Sequence, residues 1–130
     1  MDEARTRLAA MLGVAVDELS FGPSTTANTY VLAQAFRRWL KPGEAIVVTN
    51  QDHEANSGPW RRLGEEGIEV REWQIDPETG HLDPERLRPL LKDGKVRLVC
   101  FPHCSNVVGE INPVASIVEI SHEAGAVTCV

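Results

Sequence analysis

Cysteine is scarce: three residues in a chain of 130 form an odd and sparse set. A disulfide framework is therefore not expected, and a reducing compartment is. Long apolar runs are missing too, and none approaches the ~20 residues needed to span a bilayer. The opening Met-Asp-Glu-Ala-Arg-Thr-Arg lacks the basic-then-apolar layout of a secretory signal. Basic charge is not in excess. The formal charge of −6 argues against a phosphate-backbone partner, which favours a basic face, so neither nucleic acid nor membrane is an expected partner. Neither GxGxxG nor GxxxxGKS/T occurs, so the two best-known phosphate-loop signatures are absent. Ser105 sits in no GxSxG elbow, which sets a serine hydrolase aside. Cys100, His103 and Cys104 offer three ligands where a structural zinc site uses four, and no CxxC pair completes them, so no metal is expected. Repeats, low-complexity tracts and linkers are absent. What remains is a cytosolic-type chain with an ordinary apolar share of 42% and charged share of 25%. Its length suits one α/β domain over residues 1–130, large enough to bury a core.

Strand and helix signals alternate along that length. Ala4, Leu8, Met11 and Leu12 recur at helical spacing over residues 2–13, with Asp2 and Glu3 in the first turn and Gly13 as a stop. Leu19–Gly22 reads as a short strand and Ala27–Leu40 as a helix. Ala45–Thr49, rich in β-branched residues, reads as a buried strand of a parallel sheet. Trp60–Glu66 is expected to be helical, with Pro59 in its first turn and Gly67 at its end. Ile68–Trp73 alternates apolar and charged residues as a half-exposed strand does. Asp76–Gly80 is turn chemistry, after which Asp83 caps and Pro84 opens a helix carrying Leu87, Leu90 and Leu91. Val96–Phe101 is a further strand, Pro113–Ala124 a helix with Ile117 and Ile120 inward, and Ala126–Val130 a last strand. This order predicts a three-layer α/β fold with a mainly parallel sheet and right-handed crossovers.

The polar residues gather on three strand-to-helix loops. Ser24, Thr25 and Thr26 stand before a helix whose first N–H groups have no partner of their own. Any one of the three hydroxyls suffices as an N-cap, and the set also suits an anion such as phosphate. His53, Glu54 and Asn56 follow the Ala45–Thr49 strand. An imidazole there, on a solvated loop, also suits stacking on a flat ligand or relaying a proton. His103, Cys104, Ser105 and Asn106 follow the Val96–Phe101 strand. Parallel topology brings such loops to one rim, where α/β sheets bind ligands. Cys100, Trp39 and Trp60 read as packing residues, and His81 and His122 as turn and solvated-helix residues.

In this order and spacing the three loops resemble the class V aminotransferase family of pyridoxal phosphate enzymes, fold type I, with the cysteine desulfurase-like branch most similar. Phe21-Gly22-Pro23-Ser24-Thr25-Thr26 is similar to the family's phosphate-cup loop. Asp52-His53-Glu54-Ala55-Asn56, followed by Pro59-Trp60, is similar to the segment whose histidine stacks on the pyridine ring. Ser105-Asn106-Val107-Val108-Gly109 is similar to the loop whose asparagine contacts the ring's phenolic oxygen, and Gly80-His81-Leu82-Asp83 matches a spacer. The resemblance implies pyridoxal 5'-phosphate as cofactor, held by Ser24, Thr25, Thr26, His53 and Asn106. His53 is implied in ring stacking and proton relay. It also implies a cytoplasmic homo-oligomer acting on an amino acid by transferase or lyase chemistry.

The family pattern also calls for an aspartate beside the pyridine nitrogen and a Schiff-base lysine. Both are expected beyond Val130, as are the small C-terminal domain and its substrate-carboxylate arginine. Lys41, Lys92 and Lys95 match no Schiff-base segment. The expectation is therefore a slice of the large cofactor domain, inactive alone. A stand-alone non-catalytic α/β module, binding a phosphorylated small molecule or a partner chain, is the other reading.

Overall fold

The computed structural model covers residues 1–130. Its sheet has four parallel strands, β1 (Ala45–Thr49), β2 (Glu69–Trp73), β3 (Val96–Cys100) and β4 (Val127–Cys129), in the spatial order β2-β1-β3-β4. Every residue of β1 is buried, because neighbouring strands flank it on both sides and helices cover both faces.

Helices α1 (Asp2–Leu12), α2 (Thr25–Trp39), α3 (Glu54–Arg61), α4 (Pro84–Leu91) and α5 (Val114–Glu123) complete the fold. On one face Ala45, Val47, Val99 and Phe101 pack against Leu87 and Leu91 of α4 and Ile117 and Ile120 of α5. On the other, Ile46, Val48, Leu98 and Cys100 meet Ala33 of α2 and Trp60 of α3. The twofold period of each strand divides its side chains between these two cores. Strand β3 breaks that period at Arg97: Ala45 pairs with Val96, but Ile46 already pairs with Leu98. The extra residue is a bulge. It puts Val96 and Val99 into the same core and turns Arg97 towards Glu44, at 2.9 Å.

Three expectations need correction. Leu19–Gly22 forms no strand; the segment runs outside the sheet after a 3-10 turn at Val16–Glu18, with no neighbour to pair with. Helix α3 begins at Glu54, not near Trp60, because His53 caps it. Pro59 consequently lies inside the helix, where its missing N–H weakens the ladder and the chain tightens into a 3-10 stretch at Arg62–Glu66. Trp39 is half exposed, touching Phe36 edge-on, whereas Trp60 is fully buried.

Candidate functional site

The chain leaves β1 through α3 towards β2 and leaves β3 through α5 towards β4, on opposite faces of the sheet. The loops after the adjacent strands β1 and β3 therefore part from each other. A crevice opens between them, at the switch point where α/β sheets bind ligands. A cleft of about 380 Å³ lies there, lined among others by Thr25, Asp52, His53, Asn56, Cys104 and Asn106. All three loops singled out in the sequence contribute to it. A larger open notch of about 710 Å³, lined by Gln34, Arg37, Arg38 and Glu66, includes no residue of these loops.

Each side chain has a local cause for its position. Ser24 is the N-cap of α2, its Oγ accepting from the Ala27 N–H at 3.2 Å, so of the three hydroxyls it is Ser24 that caps. Thr25 faces the cleft; Ser24 and Thr26 are not among its lining residues. The N–H groups of Thr25 and Thr26 precede the first intrahelical bond and stay free to donate at the positive end of α2. His53 caps α3 through Nδ1, which accepts from the Ala55 N–H at 3.1 Å. That bond orients the exposed ring and leaves the proton on Nε2.

Asp52 accepts from the His53 N–H at 2.8 Å and from Asn56 Nδ2 at 2.5 Å. Burial raises its pKa, and the same two hydrogen bonds oppose that rise. Asn56 in turn accepts from Thr29 Oγ1 at 3.2 Å, which ties the His53 loop to the first turns of α2. Asn106 is exposed beside buried Ser105, whose Oγ donates to the Gln51 carbonyl at 2.7 Å and accepts from the N–H groups of Val107 and Val108. Gln51, Asn112 and Thr29 escaped the sequence reading: nothing marks Gln51 as buried, and Asn112 before Pro113 reads as a turn residue. Cys100 is buried in the core and Cys104 is exposed in the loop.

The pattern of the aminotransferase class-V family matches residues 1–130. The chain belongs to the class V aminotransferase family. Within that family it is like the cysteine desulfurases. It is 36% identical to a cysteine desulfurase of Serratia proteamaculans over 128 residues, covering 96% of this chain and 31% of that one. It is 37% identical to an aminotransferase-like protein of Gibberella zeae over 124 residues, covering 94% of this chain and 30% of the relative. Among solved structures, the cysteine desulfurase of Escherichia coli superposes with a TM-score of 0.87 at 27% identity, covering 96% of this chain and 32% of that one. That of Thermococcus onnurineus gives 0.86 at 26%, covering 98% and 31%. The chain thus spans about a third of the length of these relatives. Its parallel α/β sheet is that of the fold type I enzymes.

Proposed function

We propose that this chain supplies one part of a pyridoxal 5'-phosphate site, in an enzyme of cysteine desulfurase or aminotransferase type that acts on an amino acid. One observation carries the reading: Thr25 at the start of α2, His53 after β1 and Asn106 after β3 line a single cleft. The residues present fit such a group. The free N–H donors of α2 and the Thr25 hydroxyl suit the phosphate. The His53 ring, held by its cap bond, offers a flat face, and the Asn106 amide offers a donor for a ring oxygen. Nε2 of His53 is positioned to hold or release a proton at the ring's edge. When bound, the cofactor supplies an electron sink for bonds at the substrate's α-carbon. The same reading makes residues 1–130 part of a large cofactor domain, in a cytoplasmic homo-oligomer.

None of the chain's lysines serves as the cofactor's covalent partner. Lys41 and Lys95 precede β1 and β3, and Lys92 follows α4, all exposed at the rim where the parallel strands begin. The cleft is at the other rim, about 16 Å away across five residues of strand. The test is titration of the 130-residue chain with pyridoxal phosphate, then borohydride reduction and mass spectrometry. Weak binding that inorganic phosphate competes away, with no stoichiometric lysine adduct, is expected, and His53→Ala should weaken it while sparing phosphate. A single stoichiometric pyridoxyl-lysine would refute the assignment of the covalent lysine elsewhere. Failure of the chain to bind either ligand would refute the site.

A further inference from the structure

Two fully polar side chains lie buried directly behind the cleft. Gln51 is wholly buried and Asn112 is 3% exposed. Gln51 Nε2 donates to the Gly80 carbonyl at 2.8 Å, and its Oε1 accepts from Asn112 Nδ2 at 2.7 Å. The second Nδ2 hydrogen of Asn112 goes to the Pro102 carbonyl, also at 2.7 Å. Both neighbours of Asn112 Nδ2 are acceptors, which fixes the orientation of each amide even though Asn112 Oδ1 is left buried without a partner. The backbone joins the same network: the Gln51 carbonyl accepts from Ser105 Oγ, and Asn112 N donates to the His103 carbonyl at 2.8 Å. Between His103 and Asn112 the loop closes on itself, with Cys104 and Ile111 bridged and Ser105 N donating to the Glu110 carbonyl. Anchoring Asn112 and Ser105 therefore anchors the whole loop that carries Asn106.

We propose that Gln51 and Asn112 are positioning residues, a buried amide pair that sets the loop carrying Asn106 against the loop carrying His53. The inference rests on the cofactor reading above for its use, though not for its geometry. Gln51 is two residues from His53, and Ser105 is next to Asn106, so the network is a short polar spacer between the two groups at the cleft. A buried pair of this kind is a poor source of stability: apolar groups of the same shape often serve the fold as well. Its directional bonds are what an apolar pair cannot reproduce.

Two variants separate positioning from stability. Asn112→Asp keeps the volume and removes both donors; the double variant Gln51→Met, Asn112→Leu keeps apolar packing and removes the network. Amide hydrogen exchange of the ligand-free 130-residue chain is the first readout. In both variants, exchange at Val107, Val108 and Ala55 should rise about tenfold while Val47 and Val99 in the core keep their protection. The second readout is the dissociation constant for pyridoxal phosphate beside that for inorganic phosphate. The former should weaken about tenfold in the double variant, the latter should hold, since phosphate needs only the start of α2. Uniform acceleration across loops and core, or no local change in either variant, overturns the proposal. So does unchanged pyridoxal phosphate affinity despite looser loops. If the unaltered chain binds neither ligand while the local exchange effect appears, the cofactor reading fails and the coupling of the two loops stands.

Discussion

Asp52 and Asp93 are carboxylates shifted in opposite directions, and the sign decides what each does to stability. Burial raises the pKa of Asp52. The folded state therefore holds that proton more tightly than the unfolded state, and stability falls as pH rises through the folded value. Asp52→Asn removes the buried charge and keeps one of the two accepted hydrogen bonds, the remaining oxygen still accepting from Asn56 while the bond from the His53 N–H is lost. We expect the variant to melt above the parent near neutral pH and the gap to narrow on acidification, as thermal scans at a series of pH values would show. Arg71 has the reverse effect on Asp93, lowering its pKa from 3.8 to about 2 through a contact of 2.6 Å. That contribution is fully present above the unfolded value and is lost as pH falls through about 2. Asp93→Asn should therefore lower stability above pH 3.8, where the contribution is present, and flatten the acid limb between those two values, as thermal scans at a series of acidic and neutral pH values would show. Both aspartates are plain in the sequence, but their shifts are not. Asp93 depends on Arg71 across the gap between β2 and the end of α4, and Asp52 on burial among three loops.

The caps of α2 and α3 illustrate how elements place the site. Ser24 satisfies a backbone donor of α2, so Ser24→Ala should cost about 1 kcal/mol in chemical denaturation, the usual loss for an N-cap. Thr26→Ala, with no cap bond to lose, should cost less than half of that, and equal losses would mean that Ser24 is not the cap. The start of α2 was legible because turn residues and hydroxyls precede an amphipathic run. The start of α3 was not. A histidine cap is an uncommon choice beside Ser, Thr, Asp and Asn, and Pro59 suggested a helix beginning six residues later than it does, at Trp60 instead of Glu54. Gly22 shows a further close approach: a Cβ there would come within 1.6 Å of Asn28 Oδ1. Gly22→Ala must push the Asn28 side chain away from the loop that precedes Thr25, a shift visible in the Asn28 side-chain amide resonances.

Across the whole molecule, the accessible surface is 7908 Å², against about 6,800 Å² for a typical monomer of 14.3 kDa. Large apolar side chains are among the exposed residues. Phe21, Val31 and Leu32 line an open groove of about 480 Å³ on α2, with Trp39 exposed further along that helix and Met11 and Leu12 on α1. Strand β4 leaves a sheet edge next to Val130, whereas the other edge, β2, carries Glu69, Arg71 and Glu72, charges that discourage pairing. Concentration-dependent self-association is therefore expected in sedimentation velocity, and Val31→Glu with Leu32→Lys should reduce it. A sharp monomer at every concentration would refute this. No helix is long and apolar enough to cross a membrane.

Apart from Leu19–Gly22, which formed no strand, the sequence by itself determined which elements form and in what order, because periodicity, caps and turn residues act over a few neighbouring positions. Ala45–Thr49 had to be a buried strand, and the polar residues had to gather on the loops after β1 and β3. Only the tertiary structure decided the strand order β2-β1-β3-β4, since parallel pairing joins residues far apart in the chain and leaves no local mark. That order puts β1 beside β3 and sends their helices to opposite faces, which opens the cleft and sets His53 near Asn106. The same packing made buried connectors of Gln51 and Asn112, two amides that in the sequence look like any others on a polar loop.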